Sequence, residues 1–174
     1  MKTILCLLLS YCSYSLSFAQ NNYPVPPNTA NQLFYIQHSN NHNTYVYEAN
    51  VKSGELISSE PIIEYRIVYT ENGVKKPLTS IQEKMAYGMV LLESSAELFQ
   101  FRLAATDKIH FYLTYNKDEK PRIYVIINHR KLYLDKLFVQ LEDGFLNTST
   151  DADYVLFYGK DYHSGKPIIE KLVL

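Results

Sequence analysis

The 174-residue chain has no tryptophan, six glycines and two cysteines, Cys6 and Cys12, both close to its start. No cysteine follows Cys12, which excludes disulfides, cysteine-zinc sites and a thiol nucleophile from everything beyond it. Neither sign of charge dominates: 17 Lys and Arg oppose 18 Asp and Glu, for a formal charge of −1. That balance argues against a nucleic-acid partner and offers nothing to an anionic membrane surface. After Gln20 no apolar run approaches the ~20 residues of a transmembrane span. There is also no Gly-x-Ser-x-Gly elbow and no glycine-rich phosphate loop.

The N-terminus carries the pattern of a secretory signal peptide: Lys2, an apolar run from Ile4 to Leu9, and the small-x-small site Ser17-Phe18-Ala19 before Gln20. Cleavage after Ala19 is expected, placing the protein outside the cytoplasm, secreted or periplasmic. The alternative is a lipid anchor through Cys12, but a lipoprotein signal wants a small residue where bulky Tyr11 stands. The chain then divides into residues 1–19 as signal peptide, 20–32 as a proline- and asparagine-rich extended lead-in, and 33–174 as a single β domain.

From Leu33 onward the dominant period is two. Leu33–His38, Thr44–Val51, Ile62–Tyr69, Met89–Glu93, Leu98–Ala105, Ile109–Tyr115, Arg122–Ile127, a long run from Leu132 to Leu141, Tyr154–Lys160 and Ile168–Val173 read as strands. Turn signals separate them: Ser39–Asn43, Glu71-Asn72-Gly73, Asn116–Pro121, Asn128-His129, Asp143-Gly144, Asn147–Asp153 and Ser164-Gly165. In the long run the apolar set slips by one residue around Asp135-Lys136, as a β-bulge would cause. One helix is expected over Ser80–Ala86, capped by Thr79 or Ser80 with Gln82 or Glu83 three residues on as the capping-box partner, and stopped by Gly88, with Ile81 and Met85 buried against the sheet. Nine or ten short strands without a βαβ rhythm indicate an all-β antiparallel two-sheet sandwich, with a closed β-barrel as the alternative.

Few residues carry a chemical signature. His38 and His42 flank a turn, and a metal would need His110, His129 or a carboxylate brought to them in space; no metal site or cofactor is expected. Glu48, Glu64 and Glu93 lie on or beside strands and are the carboxylates available to a hydrolase. Their ordinary role is to face solvent beside basic residues, and no catalytic residue is assigned.

Tyrosine is the compositional excess, with sixteen in the chain. Matching core faces pairs Leu113 with Ile123, Phe111 with Val125 and, across a two-residue Asn128-His129 turn, Val125 with Leu132. Tyr112, Tyr124 and Tyr133 then form a row on the opposite face, near His110. The row is either a cross-strand ladder or an aromatic platform for a sugar or peptide. Tyr87, beside the helix stop, contributes to packing or lines a pocket mouth.

Three segments carry a resemblance: Tyr35–Asn50 (YIQHSNNHNTYVYEAN), Gln82–Gly88 (QEKMAYG), and Gly159-Lys160-Asp161 leading into Ser164-Gly165-Lys166 and Glu170-Lys171. Together they resemble a family of small secreted bacterial proteins known only as a domain of unknown function, in order from Leu33 to Val173. The resemblance implies a secreted single domain and no particular chemistry. The leading expectation is an exported, non-enzymatic β-domain binding a small molecule, glycan or protein partner in the cell envelope. A carboxylate-dependent envelope hydrolase and a structural or assembly accessory are the rivals. An enzyme should gather two or more carboxylates or histidines in one concave pocket, a binder should show an aromatic pocket or patch, and an accessory should expose an apolar face or strand edge.

Overall fold

A computed structural model of the chain describes residues 23–95, 97–116, 119–142 and 151–174. The expected signal peptide (residues 1–19) and the turn expected at Asp143-Gly144 lie outside the described residues, as does most of the stretch read as the Asn147–Asp153 loop. Among those described, the chain forms β1 (Gln32–His38), β2 (Asn41–Ala49), β3 (Val51–Lys52), β4 (Glu55–Leu56), β5 (Ile62–Val68), β6 (Val74–Pro77), β7 (Met89–Ser94), β8 (Leu98–Leu103), β9 (His110–Thr114), β10 (Arg122–Ile127), β11 (Arg130–Leu141), β12 (Ala152–Asp161) and β13 (Pro167–Val173).

β11 organises the sheet because it is longer than the strands beside it. Along one edge it pairs with β12 from Leu132 to Leu141. Along the other, β10 takes Arg130–Tyr133 antiparallel and β1 takes Lys136–Val139 parallel. Tyr133 and Lys136 each also pair with β12, so β10 and β1 must share the opposite edge. The expected bulge lies between them, where the β11–β12 register shifts between Leu134 and Lys136. A bulge bends its strand and increases the local twist, and two wings diverge from it: β1-β2-β5-β6 and β10-β9-β8-β7.

The two-sheet antiparallel sandwich is therefore replaced by one large mixed sheet, curled into a half-barrel around its core. It is not a closed barrel either, since β6 and β7 stand at the two ends of the pairing path. The wings meet through their inner faces: Phe34 stacks on Tyr47 at 4.3 Å and on Phe111 at 5.4 Å. Phe34, Tyr47, Phe111, Leu113, Val125, Leu132 and Phe157 are fully buried there. Each contributes on the order of 1.5–3 kcal/mol by leaving water.

Two local readings need correction. The chain turns at Ser39-Asn40 alone, and Asn41 to Asn43 already belong to β2. The strand read as Thr44–Val51 ends at Ala49, with Val51 in the separate short β3, and β4 and β6 occupy stretches the period-two reading passed over, because two to four residues give too little alternation to detect.

The helix is also different. Its capping box is present: Thr79 Oγ1 accepts from the Gln82 amide, and Gln82 Oε1 accepts from the Thr79 amide. Only Ser80–Gln82 is α-helical, and Glu83–Tyr87 form a π turn in which the Gly88 amide donates to the Glu83 carbonyl. Gly88 has an ordinary φ of −64°, so it is not a left-handed stop. A Cβ there would collide with the Glu83 carbonyl and lie 3.2 Å from Glu83 Cγ, and glycine is needed for that close approach. Ile81 and Met85 do not plug the core; they are 76% and 71% exposed. The partly buried side of this segment carries Gln82, Ala86 and Tyr87 instead. Met85→Ala is accordingly expected to change stability by less than about 0.5 kcal/mol, measured by urea unfolding.

Candidate functional site

The sequence-derived pairing of β9, β10 and β11 is observed: Leu113 opposes Ile123, Phe111 opposes Val125, and Val125 opposes Leu132. Asn128 and His129 both adopt positive φ, 51° and 64°, as the two-residue turn requires. Tyr112, Tyr124 and Tyr133 are consecutive register partners on the outer face.

Only two of the three rings meet each other. Tyr112 and Tyr124 stack at 4.9 Å and 12°. Tyr162, absent from the sequence reading of this row, stacks on Tyr133 at 4.8 Å and sets its edge against Tyr124. The Lys131 ammonium sits 3.7 Å from the Tyr124 centroid and 3.5 Å from that of Tyr162, and the Arg122 guanidinium lies 5.2 Å from Tyr133. Such contacts hold a cation over the ring quadrupole. Tyr124 is itself buried, and Tyr112, Tyr133 and Tyr162 are partly buried. His110 is exposed near the row, with Nδ1 3.0 Å from Gln100 Nε2. Burial and the neighbouring Tyr162 raise the Tyr133 hydroxyl above its ordinary pKa.

Tyr87 belongs to a different place, the inner mouth of the half-barrel. It stacks on Tyr45 at 3.5 Å, meets His38 edge-on, and its carbonyl accepts from the buried Tyr47 hydroxyl at 2.7 Å. That hydrogen bond ties the π turn to β2 and satisfies a hydroxyl that would be costly to bury alone. His38 is 8% exposed, and its Nε2 has no partner among the described residues. Burial lowers its pKa from 6.5 to about 4, so the ring is neutral at pH 7.

The concave site lies beside this mouth, at the seam between the wings. A cleft of about 470 Å³ is bounded by Ser59–Ile62 and Glu64, by Glu83 and Lys84 of the π turn, by Gly88–Leu91, and by Phe101 and Ala104 of the β8 side. Glu64 reaches across it, and Oε1 accepts the Met89 amide at 2.8 Å. Burial raises the Glu64 pKa, and the like charges of Glu83 and Glu60 raise it further, while the Met89 hydrogen bond opposes them. Three carboxylates and one ammonium thus line the cleft, with apolar Ile62, Met89, Val90, Leu91 and Phe101 beside them.

The three carboxylates singled out from sequence do not converge. Glu48 accepts from Thr29 and Tyr65 near Lys75, and Glu93 is exposed in β7; Glu64 alone enters the cleft. Its companions Glu60 and Glu83 were not legible as a site, since one falls in a short loop and the other read only as a capping residue. The histidines do not gather either: His38 is buried, His42 lies against Tyr23, and His129 forms a turn. Among the described residues no group of three or more His, Cys, Asp or Glu is arranged to hold a metal ion. No described helix is long and apolar enough to cross a membrane.

No curated protein and no solved structure matches the chain. A family described as a domain of unknown function, DUF4833, matches residues 34–171, nearly the whole of the sheet described above. The chain therefore belongs to the DUF4833 family.

Proposed function

We propose that the protein is an exported, non-enzymatic binding domain whose ligand enters the cleft at the open seam of the half-barrel. The observation that carries this reading is the cleft itself: a concavity of about 470 Å³ with an apolar wall and a partly buried carboxylate, Glu64, at the place where the curled sheet fails to close. Ligand sites favour such mixed concavities with a few polar groups. The tyrosine cluster fits a stabilising ladder better than a platform, because its ring faces are taken up by neighbouring tyrosines and by Lys131 and Arg122. Export rests on the signal pattern at residues 1–19.

The hydrolase reading keeps one specific support, the convergence of Glu60, Glu64 and Glu83. Glu64, its pKa raised, would be the proton donor. Both readings are tested by applying the parent protein and Ala104→Phe, which fills the cleft, to an envelope-glycan array and an array of ten-residue peptides. Retention by the parent that Ala104→Phe loses supports binding. No retention on either array, or equal retention by both proteins, overturns it. Turnover of a retained glycan or peptide that Glu64→Gln abolishes would replace binding with hydrolysis.

The same substitution has a pH signature. The folded pKa of Glu64 is raised, so the parent gains stability as pH falls through that value towards 4.5, and an ionised Glu64 weakens the fold above it. Glu64→Gln, which can still accept from the Met89 amide, is expected to be more stable than the parent at pH 7 and to lose this advantage near pH 4. Urea unfolding at both pH values checks it.

A further inference from the structure

Among the described residues the sheet has three terminal strands, and two of them are protected. β6 is four residues long, ends in Pro77 and carries Lys75 and Lys76. β13 begins with Pro167, and the Asn128 side chain donates to the Lys171 carbonyl and to Glu170. Prolines, lysines and covering side chains are the usual means of keeping a strand edge from pairing. β7 (MVLLES) has no proline and no basic residue, its register with β8 shifts only between Leu91 and Glu93, at its far end, and Val90, Leu91 and Leu92 are all exposed.

Its free backbone groups face the cleft. The Ala104 amide bonds the Gly88 carbonyl, and Met89 opposes Leu103, so by strand alternation Met89 and Leu91 direct their amides and carbonyls away from β8. The Met89 amide is held by Glu64, a side chain in place of a strand. Across the seam, β6 pairs β5 only from Tyr65 to Val68, leaving Ile62–Glu64 without a strand on that side among the described residues.

We infer that the ligand of the cleft is an extended peptide segment of a partner protein, alternating apolar and cationic side chains, which adds to the free edge of β7. This deepens the binding reading above and rests on it. The edge calls for an extended backbone. The apolar wall of Ile62, Leu91 and Phe101 takes alternate side chains on one side of such a strand. Charge selects the rest: Glu60, Glu64 and Glu83 against Lys84 favour a lysine or arginine. A second copy joined β7 to β7 would bring two such acidic clefts together, and the charge opposes that arrangement.

The test uses four fluorescein-labelled ten-residue peptides: alternating valine and lysine, alternating valine and glutamate, and the lysine peptide N-methylated on alternate residues in each of the two registers. Fluorescence anisotropy with the full chain reads binding. Amide hydrogen exchange reads protection of β7, and sedimentation reads self-association. The lysine peptide is expected to bind and to slow exchange at Leu91. The glutamate peptide should bind at least about tenfold more weakly, Glu83→Gln, on an exposed residue, should weaken the lysine peptide several-fold, and one N-methyl register should abolish binding. Equal binding of the lysine and glutamate peptides, indifference to N-methylation in both registers, or concentration-dependent dimers protecting β7 without peptide would overturn the inference. If these peptides do not bind while a glycan is retained and lost in Ala104→Phe, the peptide inference falls and the binding reading stands.

Discussion

Acidification from pH 7 to pH 4 is expected to cost the fold roughly 3 kcal/mol through His38 alone. The figure comes from the gap between 6.5 in the unfolded chain and about 4 in the folded one, at about 1.4 kcal/mol per pH unit. The folded pKa is depressed, so the neutral ring's contribution is complete above pH 6.5 and is lost as pH falls towards 4. The cause is burial, since His38 lies among Tyr45 and Tyr87 with no carboxylate to share a proton. Glu64 works in the opposite sense, because its folded pKa is raised, and it softens the loss below neutrality. His38→Phe keeps an aromatic edge against both tyrosines and removes the titration. Urea unfolding of both proteins at half-unit steps from pH 7.5 to pH 4 should show free-energy curves that diverge below pH 6.5. Parallel curves would show that the imidazole is hydrated in the folded protein.

Gly159→Ala is expected to destabilise by about 3 kcal/mol, at the upper end of what overpacking costs. Gly159 opposes Leu134 at the β11 bulge, where the sheet divides into its two wings. An added Cβ would collide with the Tyr133 carbonyl oxygen and lie 3.0 Å from Leu132 Cδ1. The oxygen belongs to backbone held in the sheet, and the side chain belongs to a fully buried core residue. Relief requires β11 and β12 to separate at the bulge. Gly54→Ala makes the contrast: φ is 82°, yet nothing lies within 4 Å of the new Cβ, so the cost is backbone strain of about 1 kcal/mol. Denaturant midpoints for the two variants check the ordering, and equal losses would show that β12 can shift away without consequence.

The π turn shows the boundary between local and global information. Its capping box was legible as Thr79 with Gln82 or Ser80 with Glu83, because that interaction involves residues three apart, and the structure forms the first pair. The buried side was not. Ile81 and Met85 at i and i+4 satisfy an apolar-stripe reading whichever way the segment rolls. The Tyr47 hydroxyl, forty residues away in sequence, holds the Tyr87 carbonyl and turns that stripe to solvent. A short helix has too little intrinsic stability to resist such a contact.

Sequence by itself determined the β class, the registers of β9, β10 and β11, the Asn128-His129 turn and the bulge near Asp135. Each follows from alternation, since a one-residue slip would turn a whole core face to water. It also determined that Tyr112, Tyr124 and Tyr133 share a row, though not that Tyr162, Lys131 and Arg122 would fill the spaces between and beside them. The parallel pairing of β1 with β11 was decided only by tertiary structure, because alternation marks faces and says nothing about which distant edge remains free. The cleft was decided in the same way. Glu60, Glu64 and Glu83 come from a loop, a strand and a π turn, and they meet because the curled sheet stops short of closing between β5 and β7.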